Sequence, residues 1–530
     1  MQRSLNTHTN IKRRKSMNKK SFKQRIDEFW GITSFGSSIK VEIIAGIATF
    51  LAMAYILTVN PNQILYAKTE SPLWPSVFIA TAFGAIIGTI LMSLYAKMPF
   101  AQASGMGLNS TLGMIWGGGV GAFSYVYTYS LENALFLVFI SGIVFLFLSV
   151  VPVGRNKKTG NLVSLREKIF DGMPEAVRRA IPVGIGLFIA FIGMQNAKII
   201  KDSPYTLVDF VDLTKIFSGS LYDADGVLYD YTHAIVALVS LISICVLANF
   251  KIKGAVIFGI LIGTVVAIPL QVADFNVLFG KVDGITWKFW ESFGTYFSKD
   301  GLFLKVFTDG YKMPEGSLLT SILLVMTLCM IDMFDTMGTV VGCATNAGLV
   351  DESGKPLNYN KIMVADSVAT AVGSVFGTST VTTFVESGTG IAAGGRTGFS
   401  SFVTSVMFLL SIFLLPLFAF IPSAAAAGAL IYVGVLMMSN VKNIDFSSIK
   451  NAAPAFLTIS MMVLTYSITK GIGIGMISYV LISIVCYLVD LIKYAVNKDK
   501  ENAVKPVWDV SVVALVVCAL FIIYFIVPVA

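Results

Sequence analysis

The sequence predicts an all-α polytopic membrane protein with 14 transmembrane segments arranged as two inverted 7-helix repeats. Short strands and half-helices are expected in its third and tenth elements. Three observations lead there. Hydrophobic residues make up 55% of the 530 and charged residues only 13%, where ordinary soluble domains carry about 25% charged residues. Apolar stretches such as "VFIATAFGAIIGTILMSLY" and "LFLVFISGIVFLFLSVV" recur along the chain, each suited to a membrane span of roughly 20 residues. The third and the tenth apolar elements are interrupted in the same way, by "SGMGLN" at 104–109 and by "SGTGIA" at 387–392.

In chain order, residues 1–40 come first and carry ten Lys and Arg. No short apolar region with a small-residue cleavage site follows them directly, so they read as a basic tail and not as a signal peptide. Helices are expected near 41–66, 77–97, 106–122, 131–153, 177–199, 233–250 and 254–272. A second series follows near 316–338, 361–377, 384–395, 397–421, 424–441, 453–469 and 471–494. An odd number of spans per half inverts the second series relative to the first. With a cytoplasmic amino end, alternation of sides puts Arg155, Arg178, Lys251, Lys253, Lys355, Arg396 and Lys450 inside, as the positive-inside rule requires. The basic segment "GRNKKTGNLVSLREKIFDGMPEAVRRA" then faces the cytoplasm, and the acidic "DSPYTLVDFVDLTKIFSGSLYDADGVLYDYTH" faces outward. A further apolar run at 510–527 is either a fifteenth span or an interfacial helix. The net charge of +8 is an orientation signal: the basic groups flank spans and form no basic domain, so nucleic acid is not an expected partner.

Glycines and an asparagine inside a membrane helix weaken it and place an amide where hydrocarbon penalises it. Small residues in such helices commonly serve close packing, and "GAIIG" at 84–88 and "GILIG" at 259–263 read that way. "SGMGLN" alone reads equally well as packing. Its repetition at the matching place of the second series, with Asn109 in one copy and Glu386 in the other, favours a ligand site. Paired interrupted segments in two halves point to a transporter binding site. A short extended stretch exposes unpaired N–H groups, the following half-helix aims its positive end at the ligand, and glycines such as Gly107 let the backbone approach.

Carboxylates supply the chemistry. Asp332 and Asp335 stand three residues apart in the eighth span, on nearly one helix face. Membrane insertion of one aspartate at a helix centre costs about 2.5–3.5 kcal/mol, so two of them plus Glu386 need a function. A buried ion pair lacks a partner, because no Lys or Arg occurs between Lys312 and Lys355. Carboxyl groups held together in a low-dielectric cavity share and exchange protons. The five cysteines, Cys245, Cys329, Cys343, Cys486 and Cys518, fall in or beside apolar runs without metal-type spacing and read as buried small hydrophobes. His8 and His233 lie in a tail and at a loop edge, which leaves no metal set or nucleophile triad, and no enzyme is expected.

The blocks "TFLAMAYILTVNPNQI", "SGMGLNS", "DMFDTMGTVVGCATNAGLVDESGK", "ADSVATAVGSVFGTSTVTTFVESGTGIAAGGRTG" and "AGALIYVGVLMM" resemble the AzgA-like adenine/guanine/hypoxanthine permeases of the nucleobase:cation symporter-2 family, within the xanthine/uracil permease superfamily. The resemblance covers about residues 35 to 495. The chain departs from the family at Ala52, Ser104 and Ser110, and its acidic insertion at 202–230 is longer.

The resemblance implies a core of spans one to four and eight to eleven and a gate of spans five to seven and twelve to fourteen. The implied divisions are a cytoplasmic tail at 1–40, core repeat one at 41–153, gate repeat one at 154–272 and an extracellular loop at 273–315. Core repeat two follows at 316–421, gate repeat two at 422–495 and a carboxy-terminal segment at 496–530. Asp335, with Asp332 one turn away, and Glu386 would hold the base, and Asn109 is the matching polar residue of the third element. Ring N–H donors would meet the carboxylates, while the Val385 or Ser387 backbone N–H and the Asn109 amide would serve ring acceptors. Phe334 and Phe384 are placed to stack on the ring, or simply to pack.

The implied function is secondary active uptake of purine nucleobases by proton symport through Asp335, Asp332 and Glu386, in a multi-pass protein of the cell membrane. Its partners are purine, protons and membrane lipid, and a homodimer is left open. No cofactor or metal is implied, the proton gradient being the energy source. Which purine is preferred, and proton against sodium, stay open. A xanthine, uracil or other small-solute carrier on the same fold is the alternative; a channel or an intramembrane enzyme fits less well.

Overall fold

A computed structural model of the chain describes residues 21–65, 71–117, 129–155, 162–203, 206–218, 220–223, 227–252, 254–279, 281, 285–351, 356–496 and 507–526. Most of the basic tail, the end of the expected helix at 106–122, Lys253, Lys355 and parts of the 154–172, 202–230, 273–315 and 496–530 segments lie outside these residues.

In the first half, α1 (Phe22–Trp30) precedes a first span split into α2 (Ile39–Met53) and α3 (Ile56–Ile64). The Ser38 hydroxyl caps α2 by accepting from the Val41 N–H. The second span, α4 (Trp74–Leu91), ends in a wide turn at Met92–Ala96. The third element is strand β1 (Gln102–Ser104) followed by half-helix α5 (Met106–Trp116). Next come α6 (Leu131–Val150), hairpin strands β2 (Pro152–Arg155) and β3 (Leu162–Ser164), α7 (Leu165–Gly172) and α8 (Glu175–Asn196). The outer segment holds β4 (Ile200–Ser203) and β5 (Leu207–Phe210), before α9 (Asp230–Asn249) and α10 (Ala255–Ala267). His233 thus lies in the first turn of α9.

Two short helices, α11 (Phe275–Leu278) and α12 (Phe289–Phe297), lead into the second half. It contains α13 (Leu318–Ala347), α14 (Tyr359–Phe376), strand β6 (Val381–Thr383) and the short half-helix α15 (Ser387–Ala392). It continues with α16 (Gly398–Ser411), α17 (Leu415–Ala419), α18 (Ser423–Met438), α19 (Ile449–Leu464), α20 (Ile468–Val496) and, in the additional apolar run, α21 (Val512–Ile526). Among the described residues nine helical segments are long and apolar enough to cross a membrane, and three further apolar helices are shorter.

The helices pack in two groups. In one, α14 lies against α6 and α4, α16 against α2 and α4, and α13 against α6. In the other, α8 lies against α18 and α19, α9 against α10 and α18, and α19 against α20. The glycine pairs read as packing sites are such sites: a Cβ on Gly88 would come within 2.8 Å of Gln102 Oε1 and of Val381 Cγ1, and one on Gly263 within 2.7 Å of Ser240 Cβ. Cys329, Cys343 and Cys518 are buried as expected, but Cys245 and Cys486 are exposed. An apolar thiol is compatible with lipid as well as with a protein interior, so hydrophobic surroundings in the sequence do not distinguish the two.

β1 and β6 pair antiparallel, with Gln102 opposite Thr383, Ala103 opposite Thr382 and Ser104 opposite Val381. One device holds both strands. The Thr89 hydroxyl of α4 accepts from the Gln102 N–H and donates to the Gln102 carbonyl, both at 3.0 Å. The Thr370 hydroxyl of α14 likewise accepts from the Val381 N–H, at 3.2 Å, while its proton goes to the closer Asp332 carboxylate at 2.8 Å. A threonine of the helix before each interrupted element thus holds the N–H of the first residue of its strand.

Candidate functional site

The site is built where the two strands end and the two half-helices begin. The Gly105 N–H donates to the Thr380 carbonyl at 2.9 Å and the Phe384 N–H to the Ala101 carbonyl at 3.0 Å, so each strand runs straight into the turn of its half-helix. Beside this junction lies a cavity of about 170 Å³, lined by Phe334, Asp335 and Val385 from one helix group and by Pro182, Ile185 and Met437 from the other. A smaller recess of about 30 Å³ shares Asp335, Val385 and Met437 with it and adds Met106, Phe384 and Glu386. The cavities therefore lie between the two groups.

Asp335 is half-buried and lines both cavities. Glu386, 5% exposed, receives the Tyr55 hydroxyl on Oε1 at 2.5 Å, and its Oε2 is buried without a hydrogen-bond partner. Val385 borders both cavities, Phe334 the larger and Phe384 the smaller.

The remaining predicted residues stand behind this surface. Asp332 is fully buried and accepts from the Thr370 hydroxyl at 2.8 Å. Asn109 is fully buried, accepts from the Ser379 hydroxyl and donates toward the Ser104 carbonyl at 3.4 Å. The Ser387 N–H is used by the Phe384 carbonyl and its hydroxyl accepts from the Ala101 N–H. A Cβ at Gly107 would meet Ile468 Cδ1 at 2.9 Å, so this glycine serves a close helix approach. Ser104, a departure from the family pattern, shares a 2.5 Å hydrogen bond with Thr378.

Three residues that the sequence reading did not single out belong to the same polar network. Asp366 of α14, fully buried, accepts from Gln102 Nε2 at 2.6 Å and from the Thr383 hydroxyl at 3.3 Å. Gln102 thereby ties β1 to α14, and Tyr55 ties the break between α2 and α3 to Glu386. Asp366 carried a signal, since a lone aspartate in an apolar span is as costly as Asp332. Among the described residues no lysine or arginine forms an ion pair with Asp332, Asp335, Asp366 or Glu386. Among them, too, no group of three or more His, Cys, Asp or Glu is arranged to hold a metal ion.

Apolar helices in two packed groups, with broken elements meeting beside a cavity that Asp335 lines between them, define a multi-pass membrane protein with a site between its two helix groups. The fold is similar to the transmembrane domain of a cyanobacterial bicarbonate transporter, BicA, with a TM-score of 0.53 at 17% identity over 82% of this chain and 97% of that one. It is also similar to the murine Solute Carrier 26 family member A9 anion transporter in its inward-facing state, with a TM-score of 0.51 at 13% identity over 90% of this chain and 73% of that one. Both neighbours have the seven-plus-seven inverted-repeat architecture.

The chain belongs to the Permease family whose model, Xan_ur_permease, matches residues 40–474. It is 37% identical to the permease MJ0326 of Methanocaldococcus jannaschii, over 87% of this chain and 92% of that one. It is 35% identical to the guanine/hypoxanthine permease PbuG of Bacillus subtilis, over 86% and 93%, and 31% identical to the adenine permease AdeP of Escherichia coli, over 87% and 90%.

Proposed function

We propose that this permease takes up purine nucleobases, hypoxanthine, guanine or adenine, across the cell membrane by proton symport. The observation that carries the reading is the convergence of Asp335 and Glu386, with Phe334 and Phe384, on cavities between the two helix groups. A purine edge presents ring N–H donors, which two carboxylates accept, and flat faces, against which two phenyl rings pack. The relatives named for guanine, hypoxanthine and adenine support the same class of solute. On this reading the chain crosses the membrane fourteen times with its amino end in the cytoplasm. The group holding α13 to α16 is the core, the group holding α8 to α10 and α18 to α20 is the gate, and movement between them alternates access. Protons ride on Asp335, Glu386 and Asp332, and no cofactor takes part. Lipid surrounds the assembly, and a homodimer is compatible with it.

The test is uptake of radiolabelled hypoxanthine by proteoliposomes with an imposed pH gradient, in competition with guanine, adenine, xanthine and uracil. Saturable, concentrative uptake that the purines inhibit and a protonophore abolishes is expected. Non-saturable flux overturns the carrier in favour of a channel, inhibition by uracil or xanthine but by neither guanine nor adenine overturns the assignment to the guanine and adenine class of solute, and uptake driven by sodium with no response to a protonophore overturns proton coupling.

A further inference from the structure

The first span breaks at Ala54 and Tyr55, between α2 and α3. Tyr55 is 1% exposed, and its hydroxyl reaches Glu386 Oε1 at 2.5 Å and the Met106 sulfur at 3.4 Å. One hydroxyl proton serves one strong bond, and the carboxylate is the stronger acceptor, so the sulfur contact is mainly packing. Three separate elements therefore meet at one phenol: the break in the first span, the start of α5 through Met106, and the start of α15 through Glu386, which occupies its N-cap position. No side chain of α15 itself holds Glu386, and no side-chain cap bond forms there.

We infer that Tyr55 is the positioning residue for Glu386. It occupies Oε1, fixes the rotamer of the carboxyl group and leaves Oε2, buried without a partner, as the one unengaged acceptor of a residue that lines the recess with Met106, Asp335 and Phe384. The inference rests on the reading that Glu386 holds the base. A carboxylate with both oxygens free turns about its last torsion, whose preference is broad. Donation from a buried phenol selects one orientation before the solute arrives, which is preorganisation of the binding group. Tyr55 acts through Glu386 and need not touch the base.

The test is hypoxanthine uptake by proteoliposomes containing the wild type, Tyr55→Phe, Glu386→Gln and the double variant, each checked for thermal stability in detergent. Removing only the hydroxyl is expected to raise KM about tenfold, the scale of one hydrogen bond to a charged group, while the maximal rate stays within about twofold. In the Glu386→Gln background the same change is expected to add less than about twofold, because coupled residues are non-additive. A wild-type KM for Tyr55→Phe beside a raised KM for Glu386→Gln overturns the positioning role and leaves the proposed function standing. Wild-type values for both variants remove Glu386 from the site and overturn that part of the functional reading as well. Full additivity makes Tyr55 independent of Glu386 and also overturns the proposal. Should Tyr55→Phe fail to fold, Glu386→Asp withdraws the carboxyl from the hydroxyl with Tyr55 kept. Its KM is expected to rise about tenfold, and a wild-type KM overturns the proposal.

Discussion

Glu42 shows how a buried carboxylate is stabilised here without a cation. It is fully buried in α2, and its two oxygens accept from the Arg396 N–H at 2.9 Å and the Ser400 N–H at 3.2 Å, at the start of α16. Glu42→Gln replaces one acceptor with a donor facing an N–H and is expected to destabilise the protein by about 1–3 kcal/mol, read as a lower midpoint of thermal unfolding in detergent. Glu386 differs, because one of its oxygens is not engaged. Glu386→Gln is expected to weaken purine binding by at least about 1–3 kcal/mol with normal membrane insertion, and wild-type affinity would remove it from the site. Asp335 and Asp332 separate by position. Asp335→Asn is expected to abolish accumulation against a gradient, because Asp335 lines both cavities. Asp332→Asn is expected to retain binding, because its side chain lies behind them against Thr370; uptake with and without a protonophore, beside equilibrium binding, separates the two outcomes.

At the scale of elements, α4, α14 and the strand pair fit closely. Gly88 faces Gln102 and Val381, and Gly84 faces Thr378, with 2.8 Å left for a Cβ in each case. Gly88→Leu is expected to cost about 1–3 kcal/mol or more by overpacking and to lower the yield of folded protein, whereas Gly36→Ala, in open space but at positive φ, is expected to reduce stability only through local backbone strain. Both interrupted elements were legible because glycine and polar residues inside an apolar run have few uses in lipid. Asp335 and Glu386 were legible for the same reason of expense. What could not be read was which carboxylates face the cavity and which face neighbours, since spacing along α13 puts Asp332 and Asp335 on nearly one face while the Thr370 hydroxyl of α14 donates to Asp332. Tyr55 and Gln102 gave no signal either, because a tyrosine or glutamine acquires its role from a partner 331 or 264 residues away.

For the whole molecule, the charge pattern sets the expected orientation. Single cysteines placed within 205–228 are expected to react with an impermeant maleimide from outside, and those within 156–168 only from inside, in a background lacking the five native cysteines. The reverse pattern would invert the assignment. The background itself can be built with little harm at Cys245 and Cys486, which are exposed, whereas Cys343 needs a small replacement because it borders the larger cavity. The additional helix α21 packs on α20 and on α7, with the Ser511 hydroxyl donating to the Gly172 carbonyl and Lys450 paired with Asp509. Its apolar run was visible in the sequence; its seat against the segment that links the two helix groups was not, because that contact joins residues more than 300 positions apart.

The antiparallel pair of β1 and β6 has a consequence for biosynthesis. Gln102 and Thr383, its outermost partners, are separated by 281 residues, and a ribosome adding about 5–20 residues per second needs on the order of tens of seconds to supply the second strand. Throughout that interval the first half sits in the bilayer with one strand edge unmatched, where no water is available to satisfy it. The nascent amino-terminal half is therefore a client for whatever shelters unfinished membrane proteins, and it becomes self-sufficient only when Val381–Thr383 leaves the insertion machinery and closes the molecule on itself.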